Sequence, residues 1–441
     1  MADIDAQYVL DQHAYAKGLY SGALAQAAEV EELYKADWEI PKDVGDNKNA
    51  ASPDIMRPAR ARAIVEKSLS MLSLRATQTI EVVSPTLEDA DLEKTSKQER
   101  WAHGYQRGYM LETKRNPWRD AAYWFFLRGR GCLETRFDAS FLGTDKLAVR
   151  TLADDPNNIF SVRGHDGIEW YTKCYERSAR SLKAEIKRRS AGAAESRWQS
   201  VDLSDVDDND EVKIIEYWDE THCAAVLGDD SDDPGKGKLL YVRQHDYGFV
   251  PLAEAHCMAT PLPEMEWASQ PVLYLIMDSL KGMYKLASKL ATGVDLFYWP
   301  KILVQSASGQ SVILDSGMVG VENMIPVDAK VTVINPTPNA QVVAQLMGWL
   351  QGDVQLGGIP DIAWGTEPGN LQSGFAVAQV LGQVQDKIAP HKEALELAYG
   401  WHWSHVFRVI EKYGDLPGAN LSVPVEREHA KTNNIRNPYG G

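Results

Sequence analysis

Between Gln270 and Gly414 the chain switches its hydrophobic period from helix to strand and back, and nothing else in it limits the possible fold as much. Val272, Leu273, Ile276, Met277, Leu280, Met283, Tyr284, Leu286, Leu290 and Val294 recur at steps of three and four, which marks one apolar face of a helix. A helix of roughly 25 residues at about 1.5 Å per residue is on the order of 35 to 40 Å long, more than most helices of a compact domain. That length suits an element spanning one level of an assembly. Phe297-Tyr298-Trp299-Pro300 ends it, because proline disfavours helical backbone at the residue before it.

The period then changes. Ile302-Leu303-Val304, Val312-Ile313-Leu314 and Val331-Thr332-Val333-Ile334 are short β-favouring runs separated by Gly309, Gly317, Gly320 and Pro326, so 301–335 reads as a small strand-rich insert that Pro336 and Pro338 close. A second helical pattern follows Asn339, with Val342, Val343, Leu346, Met347, Leu350 and Val354 on one side, and stops at Gly357-Gly358. Residues 358–374 hold too much Gly, Pro and Asn for a regular element and read as a long loop. Phe375 opens a third helix that runs through Val380, Leu381, Ile388 and Leu395 to Val409 and Ile410, with Pro390 predicting a kink.

This order resembles the core of the tailed-bacteriophage portal protein family. The resemblance is carried by Gln270 to Val294, Val331 to Leu356, the Gly358-Ile359-Pro360 turn and Ser373-Gly374-Phe375-Ala376. Upstream, Trp118 to Asp138 looks like the portal helix followed by glycine and a strand, and Ala153 to Gly164 looks like the Asp-Pro strand entry after it. It is a resemblance of order and pattern with no catalytic signature.

It implies an α+β, ring-forming portal fold divided into a mixed α/β wing (1–260), a wing-to-stem helix (261–300), a clip (301–336), a second stem helix (337–357), a tunnel loop (358–374), a long wing or crown-side helix (375–414) and a short C-terminal tail (415–441). It further implies a non-enzymatic virion protein without cofactor or metal, dodecameric, placed at the unique capsid vertex after assembly in the host cytoplasm. Its partners would be further copies of itself, the major capsid protein, the terminase motor, head-tail adaptors and double-stranded DNA in transit. Under this reading Trp364, Gly365, Glu367 and Asn370 of the loop face DNA, and Lys301 and Lys330 flank the partner-docking clip. Only Asp415 to Gly441 follow the last helix, so a helical crown would be very small or missing.

The first 260 residues read as helices, then strands. Ala6 to Ala36 is spaced as one helix, Asp54 opens a second, Thr79 to Val83 reads as a strand, and Leu92 to Thr113 is helical again. Gly164-His165-Asp166-Gly167 predicts a hairpin turn with Ile168 to Tyr175 as the return strand. Ser181 to Arg189 is a short basic helix, residues 190–211 an acidic mobile loop, and Val212 to Trp218, Cys223 to Leu227 and Leu239 to Val242 are strands.

Composition sets outer bounds. A chain of 441 residues with 44% apolar residues can bury a sizeable core. No uncharged apolar run reaches membrane-spanning length, and the N-terminus lacks the basic start and apolar core of a signal peptide, so a cytoplasmic origin is expected. The net charge of −16 repels nucleic acid and argues against a tight DNA grip, although an acidic conduit would let a polyanion slide. Acidity for solubility alone is the plainer account. Cys132, Cys174, Cys223 and Cys257 form no C-x-x-C pair and read as buried thiols. Tryptophans such as Trp118, Trp124, Trp218, Trp267 and Trp299 sit beside element ends, as large packing contacts would.

Other constellations are weak. Asp229-x-Ser231-x-Asp233-x-Gly235 looks like a calcium loop, but Pro234 and Leu240 stand where glycine and glutamate are needed. His402 and His405 could share a helix face as metal ligands, yet His391 is too distant to complete a set. Gly129-Arg130-Gly131 lacks the third glycine of a dinucleotide loop, and no phosphate-loop, nucleophile-elbow or zincin motif occurs. Two alternatives stay open: another structural virion or scaffold protein, and a carboxylate-dependent hydrolase using residues such as Asp154, Asp155 and Glu216.

Overall fold

The structure, a computed structural model, describes residues 4–37, 59–72, 80–84, 86, 88–191, 203, 206–228, 237–298, 301–305, 311–314, 330–334, 340–358 and 374–423. Its elements are α1 (Ala6–Leu19), α2 (Ser21–Lys35), α3 (Arg60–Met71), α4 (Asp89–Thr113), α5 (Pro117–Arg128), β1 (Arg130–Phe137), β2 (Val149–Leu152), β3 (Ile159–Gly164), β4 (Gly167–Ser178), α6 (Ala179–Ala191), β5 (Glu211–Trp218), β6 (His222–Leu227), β7 (Leu239–Gln244), β8 (Leu252–His256), α7 (Met265–Ala268), α8 (Met277–Tyr298), β9 (Lys301–Gln305), β10 (Ser311–Leu314), β11 (Lys330–Ile334), α9 (Ala340–Gly357) and α10 (Gly374–Tyr413). The class is α+β, and every strand pair among the described residues is antiparallel. The chain divides into two compact units: 1–29, 65–272 and 385–441 form the first, 30–64 and 273–384 the second.

Local chemistry sets the helix ends. The Asp5 carboxylate accepts from the Tyr8 amide at 2.7 Å and starts α1. Asn116 accepts from the Arg119 amide at 3.1 Å, Pro117 takes the first turn of α5, and Gly129 closes it with φ of 83° in the left-handed region that suits glycine. The single helix expected over 6–36 is two. At Tyr20 the amide bonds back to the Lys17 carbonyl at 3.2 Å, a tightened turn, while the Tyr20 hydroxyl donates to the Ser161 carbonyl at 3.0 Å. Tertiary anchoring of that side chain outweighs continuation of the helix.

Two further expectations need correcting. Ile80 to Val83 is extended but joins no ladder; the Ile80 amide faces His103 Nε2 at 3.5 Å and the Val82 amide donates to Glu99 at 2.9 Å. Side chains of α4 take the bonds a neighbouring strand would take. In the acidic stretch, the Asp210 carbonyl accepts from the Ala179 amide at 2.8 Å and Lys183 donates to Asp208 at 2.7 Å, so 206–211 is tied to α6. Residues 192–202 and 204–205 lie outside the described residues.

The first unit is layered. A five-stranded sheet, in the order β3-β4-β5-β6-β7, carries α1 on one face, where Val9 packs with Ile215, Tyr217, Ala224 and Val226. The predicted hairpin is present, with Gly164 paired to Gly167. Alternation along the strands sends Tyr171, Lys173, Glu216 and Trp218 to the opposite face. There they meet a three-stranded sheet, β2-β1-β8. That sheet's far side is aromatic and helical: Tyr105 donates to the Val149 carbonyl at 3.1 Å, and Trp118 stacks on Trp403 of α10 with centroids 5.8 Å apart. Gly131 of β1 lets α5 lie this close, because a Cβ there would stand 2.6 Å from the Ala121 carbonyl oxygen.

In the second unit α8 and α9 run antiparallel. Gly357 approaches Ile276, Ser279 donates to Asp353, and Gly282 faces Leu350, so positions descend on α9 as they rise on α8. Ile276, Leu280, Met283, Tyr284, Leu350 and Val354 are buried, and Tyr284 accepts from the Ala61 amide at 3.3 Å. Strands β9, β10 and β11 form a small sheet in the order β10-β9-β11. α10 passes through Pro390 as one helix.

Candidate functional site

The densest chemistry in the first unit is the layer between its two sheets. β1 points Arg130, Cys132, Glu134 and Arg136 the same way, a polar face that a lone strand would give to water. Here Arg130, Cys132 and Glu134 are buried and Arg136 is half-buried. Arg136 bridges Glu134 of its own strand and Glu216 of β5, and lies 4.6 Å from the centroid of the Trp218 ring. Lys173 donates to Glu134 at 3.1 Å and also pairs with Asp154, while the hydroxyls of Tyr171 and Tyr175 donate to Glu134 and Glu216. Near the start of β1, Glu254 of β8 accepts from Arg130 at 3.4 Å, Arg163 at 3.1 Å and the Ser161 hydroxyl at 2.8 Å.

The charges are matched in number, Arg130, Arg136, Arg163 and Lys173 against Glu134, Asp154, Glu216 and Glu254, with Arg163 and Asp154 at the solvent-exposed edge of the layer. Such balance is what lets charge stay in a dry interior. Burial alone would raise the Glu216 carboxyl, but Arg136 and Lys173 hold it down at about 2. Burial likewise opposes ionisation of Glu254, and His256, Arg163 and Arg130 overcome it and hold its carboxyl far below the usual range.

The three carboxylates considered for hydrolysis are only partly assembled. Asp154 and Asp155 line a cavity of about 310 Å³ with Arg115, Asp120, Tyr123, Trp124 and Ala153. Asp154 is committed to Lys173; Asp155 pairs with Arg128 at 3.1 Å and caps the turn at Asn157 at 3.0 Å. Glu216 does not line that cavity and is enclosed by its own donors.

The histidines of α10 go to separate tasks. His402, fully buried, hydrogen-bonds the Thr135 hydroxyl at 2.9 Å and the Thr151 hydroxyl at 3.3 Å. His405 stacks on Phe249 at 4.4 Å, and His391 packs against Phe125 and Phe126 with Nδ1 3.7 Å from Cys257 Sγ. Burial lowers His402 to about 3 and His405 to about 4. Among the described residues no group of three or more His, Cys, Asp or Glu could hold a metal ion. All four cysteines are free thiols; Cys132, Cys223 and Cys257 are buried and Cys174 is half-buried. The calcium-like turn at 229–235 lies outside the described residues. Gly129 and Gly131 serve helix end and strand packing, and Arg130 between them bonds the Ile159 carbonyl at 2.9 Å.

In the second unit, Lys281, Lys285 and Lys289 follow one another at four-residue steps along α8, about 6 Å apart in rise. They occupy the arc left by Leu280, Met283, Tyr284 and Ser288, which are buried. α9 leaves Val342, Leu346, Trp349 and Leu356 exposed. Lys301 and Lys330 stand at opposite ends of one ladder, Lys301 opposite Ile334 and Lys330 opposite Gln305, so β9 and β11 separate them by about 13 Å. Trp364, Gly365, Glu367 and Asn370 lie outside the described residues.

The chain matches no family model and no curated protein. Its functional reading therefore stands on its own residues. No helix among the described residues is long and apolar enough to cross a membrane. Two features escaped inspection of the sequence. The i, i+4 lysine spacing on α8 was available as a signal, whereas the ionic layer joins residues about 40 and 80 positions apart with no local sign of their meeting.

Proposed function

We propose that this chain is the ring subunit of a tailed-phage portal, the channel at the unique capsid vertex through which the genome is packaged and ejected. The observation that carries the reading is the antiparallel pair α8 and α9, with the strands β9, β10 and β11 between them in sequence and residues 359–373 following the end of α9 that lies beside Ile276. In this reading α8 and α9 are the stem, the small sheet is the clip, and 358–374 is the tunnel loop before α10.

The mechanism is geometric and electrostatic. A subunit carrying −16 gives a wall that repels a polyanion in general. Such a wall guides a duplex without holding it. An external ATPase, the terminase motor, supplies the work, and terminase and then head-tail adaptors dock at the clip near Lys301 and Lys330. The major capsid protein surrounds the ring in the virion. The chain itself acts without catalysis or cofactor.

Negative-stain imaging of the purified full chain tests this: closed rings with a central hole are expected, about twelve subunits around. Particles without a hole under every assembly condition would sink the reading.

A further inference from the structure

α5 carries a line of unlike side chains along its outer side. Asp120, Trp124 and Arg128 recur at steps of four, about 6 Å apart in rise, and all three are half-buried. Arg128 lies 5.5 Å from the centroid of the Trp124 ring and pairs with Asp155 at 3.1 Å, which brings the turn after β2 over the helix. Between helix and turn is the cavity of about 310 Å³, walled chiefly by Arg115, Asp120, Tyr123, Trp124, Asp154 and Asp155. That volume stands at the lower end of the roughly 300 to 1,000 Å³ that small-molecule sites enclose.

Two of the carboxylates are fixed from behind. The side chains of Lys173 and Arg128 are each 7% exposed, and they hold Asp154 and Asp155. Asp155 is fully engaged, since it also caps the Asn157 amide at 3.0 Å. Asp154 has only a share of Lys173, whose single charge also serves Glu134. Asp120 enters no ion pair among the described residues. Burial raises its carboxyl above the ordinary value although Arg115 and Arg119 pull it down from a distance, so a partly dehydrated carboxylate faces the cavity without a contacting cation. The cavity thus offers two carboxylates short of a full counter-charge beside two aromatic rings.

The layout of this charge selects the ligand. A hard divalent ion needs several oxygens converging on one point, and among the described residues no group of three or more His, Cys, Asp or Glu could hold a metal ion. Carboxylates that do not converge suit an extended cation. Indole and phenol faces attract positive charge and cover the apolar carbon between its charged ends. An anion would find Arg115 alone, opposed by Asp120.

We propose that this cavity binds a short organic cation of the alkyl diamine class, with its ammonium groups on Asp120 and Asp154 and its methylenes against Trp124 and Tyr123. The site is independent of the ring-subunit reading, and either can fail alone.

The test is isothermal titration calorimetry of the full chain with 1,4-diaminobutane at fixed ionic strength, on wild type, Asp120→Asn, Arg115→Met and Trp124→Leu. The wild type is expected to bind one equivalent saturably. Asp120→Asn should weaken binding by about tenfold or more, because an ionic hydrogen bond becomes a neutral one. Its melting temperature should not change, since the carboxylate has no ion-pair partner to lose. Arg115→Met should tighten binding roughly two- to fivefold by removing a like charge at the rim. Trp124→Leu keeps an apolar wall without a π face and should weaken binding about twofold or more. No saturable binding by the wild type would overturn the proposal, as would wild-type affinity in Asp120→Asn or, if that variant does not fold, in Trp124→Leu. Displacement of the diamine by an equal concentration of magnesium chloride would also overturn it, by reducing the binding to general attraction toward a chain of net charge −16. Weaker binding in Arg115→Met would overturn the assigned class, because the ligand group beside Arg115 would then be negative.

Discussion

Lys173 on β4 donates to Glu134 on β1 across 3.1 Å, and with both side chains buried the pair ties the five-stranded sheet to the three-stranded one. The favourable Coulomb energy of such a pair is offset by the cost of taking both ions out of water, so the layer does less for net stability than its bonds imply. Removing one member is another matter, because its partners are left charged and dry.

Arg136→Met is the sharpest test of that layer. Arg136 stands between Glu134 and Glu216, and without it the two carboxylates lose their shared cation. Urea unfolding is expected to show a loss of about 3 to 5 kcal/mol. Adding Glu216→Leu should recover most of it, since Glu134 keeps Lys173. A single variant within about 0.5 kcal/mol of wild type, the range of an ordinary surface change, would mean that the layer is hydrated.

Acid should destabilise the first unit in two stages. His402, lowered to about 3 from 6.5 by burial and then by His405, stays neutral when folded and protonates when unfolded. The unfolded state binds the extra proton, so stability is complete above about pH 6.5 and falls as pH drops toward 3, at about 1.4 kcal/mol per pH unit for each such histidine. His402→Gln should remove about one proton from that slope between pH 6 and 4. Glu216, depressed from 4.5 to about 2, contributes stability that is present above 4.5 and disappears as pH falls toward 2. Urea midpoints measured at several pH values check both stages; an unchanged slope in the histidine variant would show that water reaches His402 in the fold.

Within the portal reading, Trp364→Ala and Gly365→Val should leave ring assembly intact and reduce DNA packaging by tenfold or more in a complementation assay. Wild-type phage titres from both variants would separate the loop from DNA handling.

The helices of the second unit were legible because each needs only its own period: the apolar steps of three and four from Met277 to Val294 lie over α8, and Gly357 ends α9 where the pattern stops. Val272 to Ile276, expected in the same helix as α8, precede it and include a 3-10 turn at Tyr274–Ile276. β1 and the β3–β4 hairpin were legible for a similar local reason, a glycine or a two-residue turn at a fixed place. Ile80 to Val83 misled because β propensity reports a preference for extended backbone and not the presence of a partner.

By itself, then, the sequence determined period, breaks, caps and net charge, all of which depend on residues within a turn or two of one another. Only the tertiary structure decided that Arg130 and Glu134 lie buried, and Arg136 half-buried, between two sheets and that the exposed side of α9 is largely apolar. Alternation on a strand says that one face is polar, but whether water or an opposing ion meets that face depends on strands far away in the chain, and no local rule contains that distance.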